Sequence, residues 1–224
     1  MSERVGATGS SLTDIMASLV AVFVLLFVAA QNNRGVGIQT VRDDLIKQLK
    51  GQLVAAGVPD AKVDSIPNDP STVLIVLPDS VLFDRSARTM SAAGQRVVNS
   101  ATRPLVQVLC EPTMRRNLDQ MVVEGHTDNT IPPGLSFGAG RRYNLELSQA
   151  RSMDYVTRSM RVIEADERAL QCLLQLVSAT GRGQENPLPK IPGDAAAQRR
   201  VVLRIRLTST PADTSFVVPD TIRG

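Results

Sequence analysis

Tryptophan is absent from this 224-residue chain, histidine occurs once, at His126, and cysteine twice, at Cys110 and Cys172. A single imidazole argues against a zinc centre, because such sites gather several His and Cys at short spacings, and these two cysteines fit no such motif. Nor is there a nucleophile, base and orienting group at any recognisable spacing, so no enzyme is expected. Charge of one sign is scarce too. The 25 Lys and Arg nearly balance the 22 Asp and Glu, and no block of like charges occurs, which is too little to argue for nucleic acid. Neither a metal nor a cofactor is expected. The cysteines admit two readings. In an oxidising compartment they form one disulfide closing a loop of about 60 residues, stabilising by about 2–4 kcal/mol. In the cytosol they are two small buried residues.

One long apolar run is present. From Leu12 to Ala30 the only polar side chains are Thr13, Asp14 and Ser18. At about 1.5 Å per residue this is enough helix to cross a bilayer, and 11–31 is the expected membrane span. Asp14 at its start is costly in lipid, about 2.5–3.5 kcal/mol, so it should face protein or water. Helical spacing sets Asp14, Ala17, Ser18, Ala21 and Leu25 on one small-residue stripe, with Leu19, Phe23, Leu26 and Phe27 elsewhere. Desolvation raises a carboxyl pKa, so an acid in this position can carry a proton. Two plainer readings stand beside it. The run can be a cleavable signal peptide, with Arg4 as n-region and Val28-Ala29-Ala30 as cleavage site, and Asp14 can be a helix N-cap at the interface.

Residues 1–10 read as a polar tail. The turn-forming residues 32–37 should separate the span from an amphipathic helix with Val41, Leu45, Leu49 and Leu53 at i+4 spacing, ended by Gly57 and Pro59. That helix packs on a dimer mate or on the domain behind it, or serves as a plug over a channel. Positions 61–71 look like linker, which makes 32–71 one connecting unit. Beyond it, strands are expected at 72–77, 121–125, 176–180 and 200–207, the last alternating basic and apolar. Helices are expected at 91–109, kinked or broken at Pro104, and at 144–160 and 165–176. The glycine- and proline-rich stretch 126–140 should be irregular. The resulting β, α, β, α, β, β order predicts an α/β domain with helices on a mixed sheet over 72–207, and a loose tail over 208–224.

Five ordered motifs carry a resemblance: VLFDRSARTMSAAG (81–94), VVEGHTDN (122–129), YNLELSQAR (143–151), GRGQENP (181–187) and QRRVVLRI (198–205). In order and spacing they resemble the OmpA-like peptidoglycan-binding domain. An acid-bearing N-terminal span, a linker helix and this domain together resemble MotB, the ion-channel subunit of flagellar stators. Asp14-Ile15-Met16 stands where that family has Asp-Phe-Met. The resemblance implies that Asp14 is the proton-carrying carboxylate. It also implies a homodimer inside a ring of five MotA-like (ZorA-like) membrane subunits, and an inner-membrane protein with a cytoplasmic N-terminus and a periplasmic domain. The positive-inside count opposes this orientation mildly, since Arg34, Arg42 and Lys47 follow the run and only Arg4 precedes it. The absence of a tryptophan-rich span and of a basic tail, and an insertion over 131–142, depart from flagellar MotB and resemble non-flagellar motors of the Zorya anti-phage type.

For the wall, the resemblance assigns Asp128 to the amine and Arg151 to the carboxylate of diaminopimelate, with Asn144 and Leu147 completing the pocket and Tyr143 at its rim. The chemistry is sound, because a zwitterionic end needs one anion and one planar bidentate cation a few ångströms apart. Singly, each residue has a plainer role: Asp128 a helix cap, Arg151 a surface ion pair, His126 a core histidine. Arg199 and Arg200, with Gln198 in place of the family's Asn, read as structural or peripheral. A passive OmpA- or Pal-like wall tether without transport is the rival reading.

Overall fold

The computed structural model describes residues 7–58, 61–67, 69–185 and 195–208. Helix α1 (Ala7–Ala55) is one continuous helix. The expected break at 32–37 is absent: isolated glycines cost a helix about 1 kcal/mol each without ending it. Part of the expected 1–10 tail, residues 7–10, belongs to the same helix, while 1–6 lie outside the described residues. The end of α1 is decided by Gly57 (φ 73°), whose amide returns to the Val54 carbonyl at 3.0 Å while Val58 donates to Leu53 at 2.9 Å. This pair of bonds is a Schellman cap, closed by buried Val58 and Leu53. The stripe of Leu45, Leu49 and Leu53 is buried against the helix Ala92–Leu109 and the strand Asp69–Pro78 of its own domain. Farther up, Ile15, Leu19, Phe23, Leu26 and Phe27 are all exposed. Among the described residues no helix is long and apolar enough to cross a membrane.

The domain is a mixed five-stranded sheet in the order β1-β2-β5-β3-β4. Strand β1 (Lys62–Ile66) lies within the region expected to be linker; it pairs antiparallel with β2 (Asp69–Pro78), and its Ile66 is opposite Asp69. The Pro and Asp that suggested a linker surround the hairpin turn. Short α2 (Asp79–Leu82) leads to α3 (Ala92–Leu109), whose N-cap Ser91 accepts from Gly94 N at 3.0 Å. The helix runs through Pro104 without the break that proline allows for. After one turn of α4 (Pro112–Arg115) come β3 (Leu118–His126), α5 (Phe137–Val162), α6 (Glu167–Leu176) and β4 (Val177–Gly181), parallel to β3. Helix α5 begins seven residues before the expected Asn144, within the stretch expected to be irregular. Ser136 caps it, and Gly140 lets it meet Ile131, whose Cγ2 lies 2.5 Å from where a Cβ would stand. A turn of α7 (Ala195–Gln198) precedes β5 (Arg200–Leu207). Beyond Thr208, the expected tail lies outside the described residues.

Alternation along the strands builds the core. Val73, Ile75 and Leu77 of β2, Met121 and Val123 of β3, and Val201, Leu203 and Ile205 of β5 are buried with Val98, Leu105 and Leu109 of α3 and Tyr155 of α5. Gly125 is required where α5 crosses β3, since a Cβ there would stand 2.1 Å from the Ser148 carbonyl oxygen. Cys110, at the end of α3, is joined to Cys172 of α6 by a disulfide with a Cα–Cα distance of 6.1 Å.

Candidate functional site

Sheet topology brings four charged side chains to one edge. Strands β2 and β3 flank β5 and both run antiparallel to it, with Pro78, Arg200 and His126 in register. The ends of β2 and β3 therefore deliver Asp79 and Asp128 beside the start of β5, which delivers Arg199. Arg151 reaches them from the middle of α5. Between them opens a cavity of about 440 Å³, lined also by Arg85, Thr130, Tyr143, Asn144 and Leu147.

Arg151 is only 2% exposed. Its Nη1 donates to Asp79 Oδ1 at 2.7 Å and its Nε to the Ala87 carbonyl at 2.8 Å, and its guanidinium stacks 5.0 Å above the Phe83 ring. These bonds also hold the 84–87 turn, in which Ser86 has φ 60°, the one positive φ outside glycine among the described residues. Burial pushes the Asp79 carboxyl above its ordinary range, against the pull of Arg151 and then Arg199. Asp128 is 9% exposed; its Oδ2 accepts from Arg199 Nη1 at 2.6 Å and its Oδ1 from the Thr130 amide at 2.9 Å. Burial opposes ionisation of Asp128, but the hydrogen bonds from Arg199 and Thr130 prevail and lower its pKa.

All five residues expected to bind the wall line this one cavity. Their roles differ in kind. Asn144 donates to the carbonyls of Thr130 at 3.1 Å and Asp128 at 3.3 Å, pinning the loop to α5, while buried Leu147 supplies an apolar wall. Asp79, Arg85 and Arg199 belong to the cavity although the sequence did not single them out for it. For Arg199 the signal was its place just before an alternating strand; for Asp79 it was an acid at the end of an apolar one. Arg200 turns away, donating to the Gln198 carbonyl at 2.9 Å. His126 is buried with Nε2 3.5 Å from Glu124 Oε2, a core histidine held neutral by burial. Glu124 is in turn gripped by Arg182 at 2.8 Å and Arg204 at 3.2 Å. Asp14, on α1, is not among the lining residues. The Ser18 hydroxyl below it donates to the Asp14 main-chain carbonyl at 2.8 Å, not to the carboxylate. No group of His, Cys, Asp or Glu able to hold a metal occurs among the described residues.

No protein-family model matches the chain, and no curated protein matches it in sequence. Among solved structures it is similar to a MotB-like protein from Desulfovibrio vulgaris, with a TM-score of 0.57, 19% identity, and coverage of 78% of this chain and 96% of that one. The fold is that of a MotB-like domain. More distant are the cell wall anchor of the T6SS from Pseudomonas aeruginosa (TM-score 0.46, 17% identity, 73% of this chain and 97% of that one) and the OmpA-like domain of FopA1 from Francisella tularensis (TM-score 0.41, 18% identity, 66% and 83%). In this MotB-like fold, the edge carrying Asp79, Asp128 and Arg199 is the end of the sheet where two parallel-running strands stop and the strand between them starts.

Proposed function

We propose that this protein is a cell-wall anchor whose cavity holds the free zwitterionic end of a diaminopimelate stem in peptidoglycan. The observation that carries the reading is the meeting of two carboxylates and three guanidiniums around one 440 Å³ cavity of peptide-end size. Asp128 accepts the amine, Arg151 presents a fixed cationic floor to the carboxylate, and Tyr143 and Leu147 cover the methylenes. Full-length protein in detergent should sediment with purified sacculi, and Asp128→Ala should reduce the bound fraction at least 10-fold. Equal sedimentation of both proteins would refute wall binding at this site.

The same proposal places residues 11–31 in the inner membrane and makes the chain the MotB-like subunit of a proton-driven motor. The apolar run from Leu12 to Ala30, opened by Asp14, supports this reading. Two copies within a ring of five MotA-like partners would present two Asp14 carboxylates, each proton gaining about 2.3 kcal/mol per 100 mV. The missing tryptophan and the insertion over 131–142 favour a non-flagellar motor of the Zorya anti-phage type. With its partner co-expressed, Asp14→Asn should keep assembly and abolish proton flux. Unchanged flux would leave a passive tether.

A further inference from the structure

A second cavity, of about 370 Å³, opens between the C-terminal ends of α3 and α5 and the start of α6, and it shares no lining residue with the cavity at the sheet edge. Both halves of the Cys110–Cys172 bond line it, and each is only partly buried. We propose that this bond is a thiol-exchange site, opened in the folded protein by a small thiol that carries a carboxylate. A disulfide sealed in a core meets a reductant only after the chain unfolds, whereas a thiolate able to enter a cavity reaches the sulfurs directly. Nor does α6 depend on the bond for its place. Leu173 and Leu176 are 2% and 3% exposed in the core, so the helix stays seated when the bond opens.

Two guanidiniums give the cavity its preference for an anion. Arg103 on α3 and Arg168 in the first turn of α6 are both exposed at its wall. Neither forms an ion pair among the described residues, and Arg103 donates only to the Val162 carbonyl, at 2.9 Å. The carboxylates of the lining, Glu111 and Asp166, are engaged as helix caps. Glu111 accepts from the Thr113 and Met114 amides at 2.9 Å and Asp166 from the Ala169 amide at 3.0 Å, so amide dipoles offset their charge. An entering carboxylate finds planar cationic partners there, and the sulfur tethered to it is brought to the bond. In the exchange, the incoming thiolate bonds to one cysteine sulfur while the S–S bond breaks, and the other sulfur leaves as a thiolate that takes a proton from water. A second thiolate attacks the mixed disulfide and releases the remaining cysteine. Two thiols are thereby oxidised to one disulfide, and the protein receives the two electrons.

The test follows reduction of the full-length protein in detergent by mercaptopropionate, mercaptoethanol and cysteamine, which are anionic, neutral and cationic. The reaction is quenched by alkylation and read by intact mass, with each rate taken per thiolate and divided by that thiol's rate on hydroxyethyl disulfide. Reduction should proceed at the same rate in water and in urea below the unfolding transition, because no unfolding precedes it. At about 0.01 M salt the normalised rates should fall from anion to neutral to cation over about 10-fold, and the spread should shrink at about 1 M salt. Arg168→Gln should lower the anion-to-neutral ratio about 3-fold, and Arg168→Lys should keep most of it. A rate that climbs with urea along the slope of global unfolding overturns the inference. Equal normalised rates for the three thiols overturn it as well, as does a spread untouched by Arg168→Gln.

Discussion

Cutting the Cys110–Cys172 bond should lower the stability of the domain without altering its folded shape. The bond closes a 62-residue separation, from the end of α3 across β3 and α5 to α6. By the loop-closure relation, a loop of that size loses about 14 cal/mol/K in the unfolded chain, or about 4 kcal/mol at 25 °C. For a domain of this length each kcal/mol moves Tm by about 2–4 °C, so the midpoint should fall by about 8–16 °C. The assay is thermal and urea unfolding of the full chain, oxidised, reduced, and as Cys110→Ser/Cys172→Ser. Because the effect lies in the unfolded ensemble, the reduced protein and the double variant should coincide, and both should show a larger urea m-value than the oxidised protein. A Tm change below about 2 °C, or an m-value indifferent to the bond, would refute this reasoning.

Glu124 should make the domain acid-sensitive. Burial opposes its charge, but the contact with His126 at 3.5 Å and the hydrogen bonds from Arg204 and Arg182 outweigh it and hold the folded pKa below the ordinary carboxyl range, so its contribution is present above the unfolded pKa and fades as pH falls toward the folded one. Glu124→Gln should cost about 2–3 kcal/mol at pH 7 and progressively less below pH 4, read from Tm at several pH values; a pH-independent offset would contradict it. Gly125→Ala should cost about 3 kcal/mol, because backbone, not a flexible side chain, occupies the place of the new Cβ. Its Tm should drop by several degrees while a control alanine at exposed Gly138, inside α5, keeps or slightly raises it, and equal transitions would show that α5 and β3 separate easily.

Sequence reading succeeded where periodicity is local. The basic–apolar alternation over 202–207 is the buried-and-exposed rhythm of β5, and the i+4 leucines of α1 meet the core that their spacing requires. It failed where the stabilising partner is distant. Strand β1 carries Lys62 and Asp64 on one side and owes its structure to pairing with β2, which a linker-like composition conceals. The first turns of α5 contain Gly138 and Gly140, poor helix formers, held by the Ser136 cap and by contact with Ile131. In the cavity, Asp128, Tyr143, Asn144, Leu147 and Arg151 were legible as motif residues. Asp79 and Arg199 join them only because β5 inserts between two strands remote in sequence.

Helix α1 is 49 residues long, about 74 Å of uninterrupted hydrogen-bonded rod, and its last turns are buried in the domain's own core. Such a connection has no joint. The exposed apolar stretch near one end and the charged cavity at the edge of the sheet are carried by one continuous helix and the domain packed on its last turns, so the distance along the chain between them is spanned by helix and not by a loop.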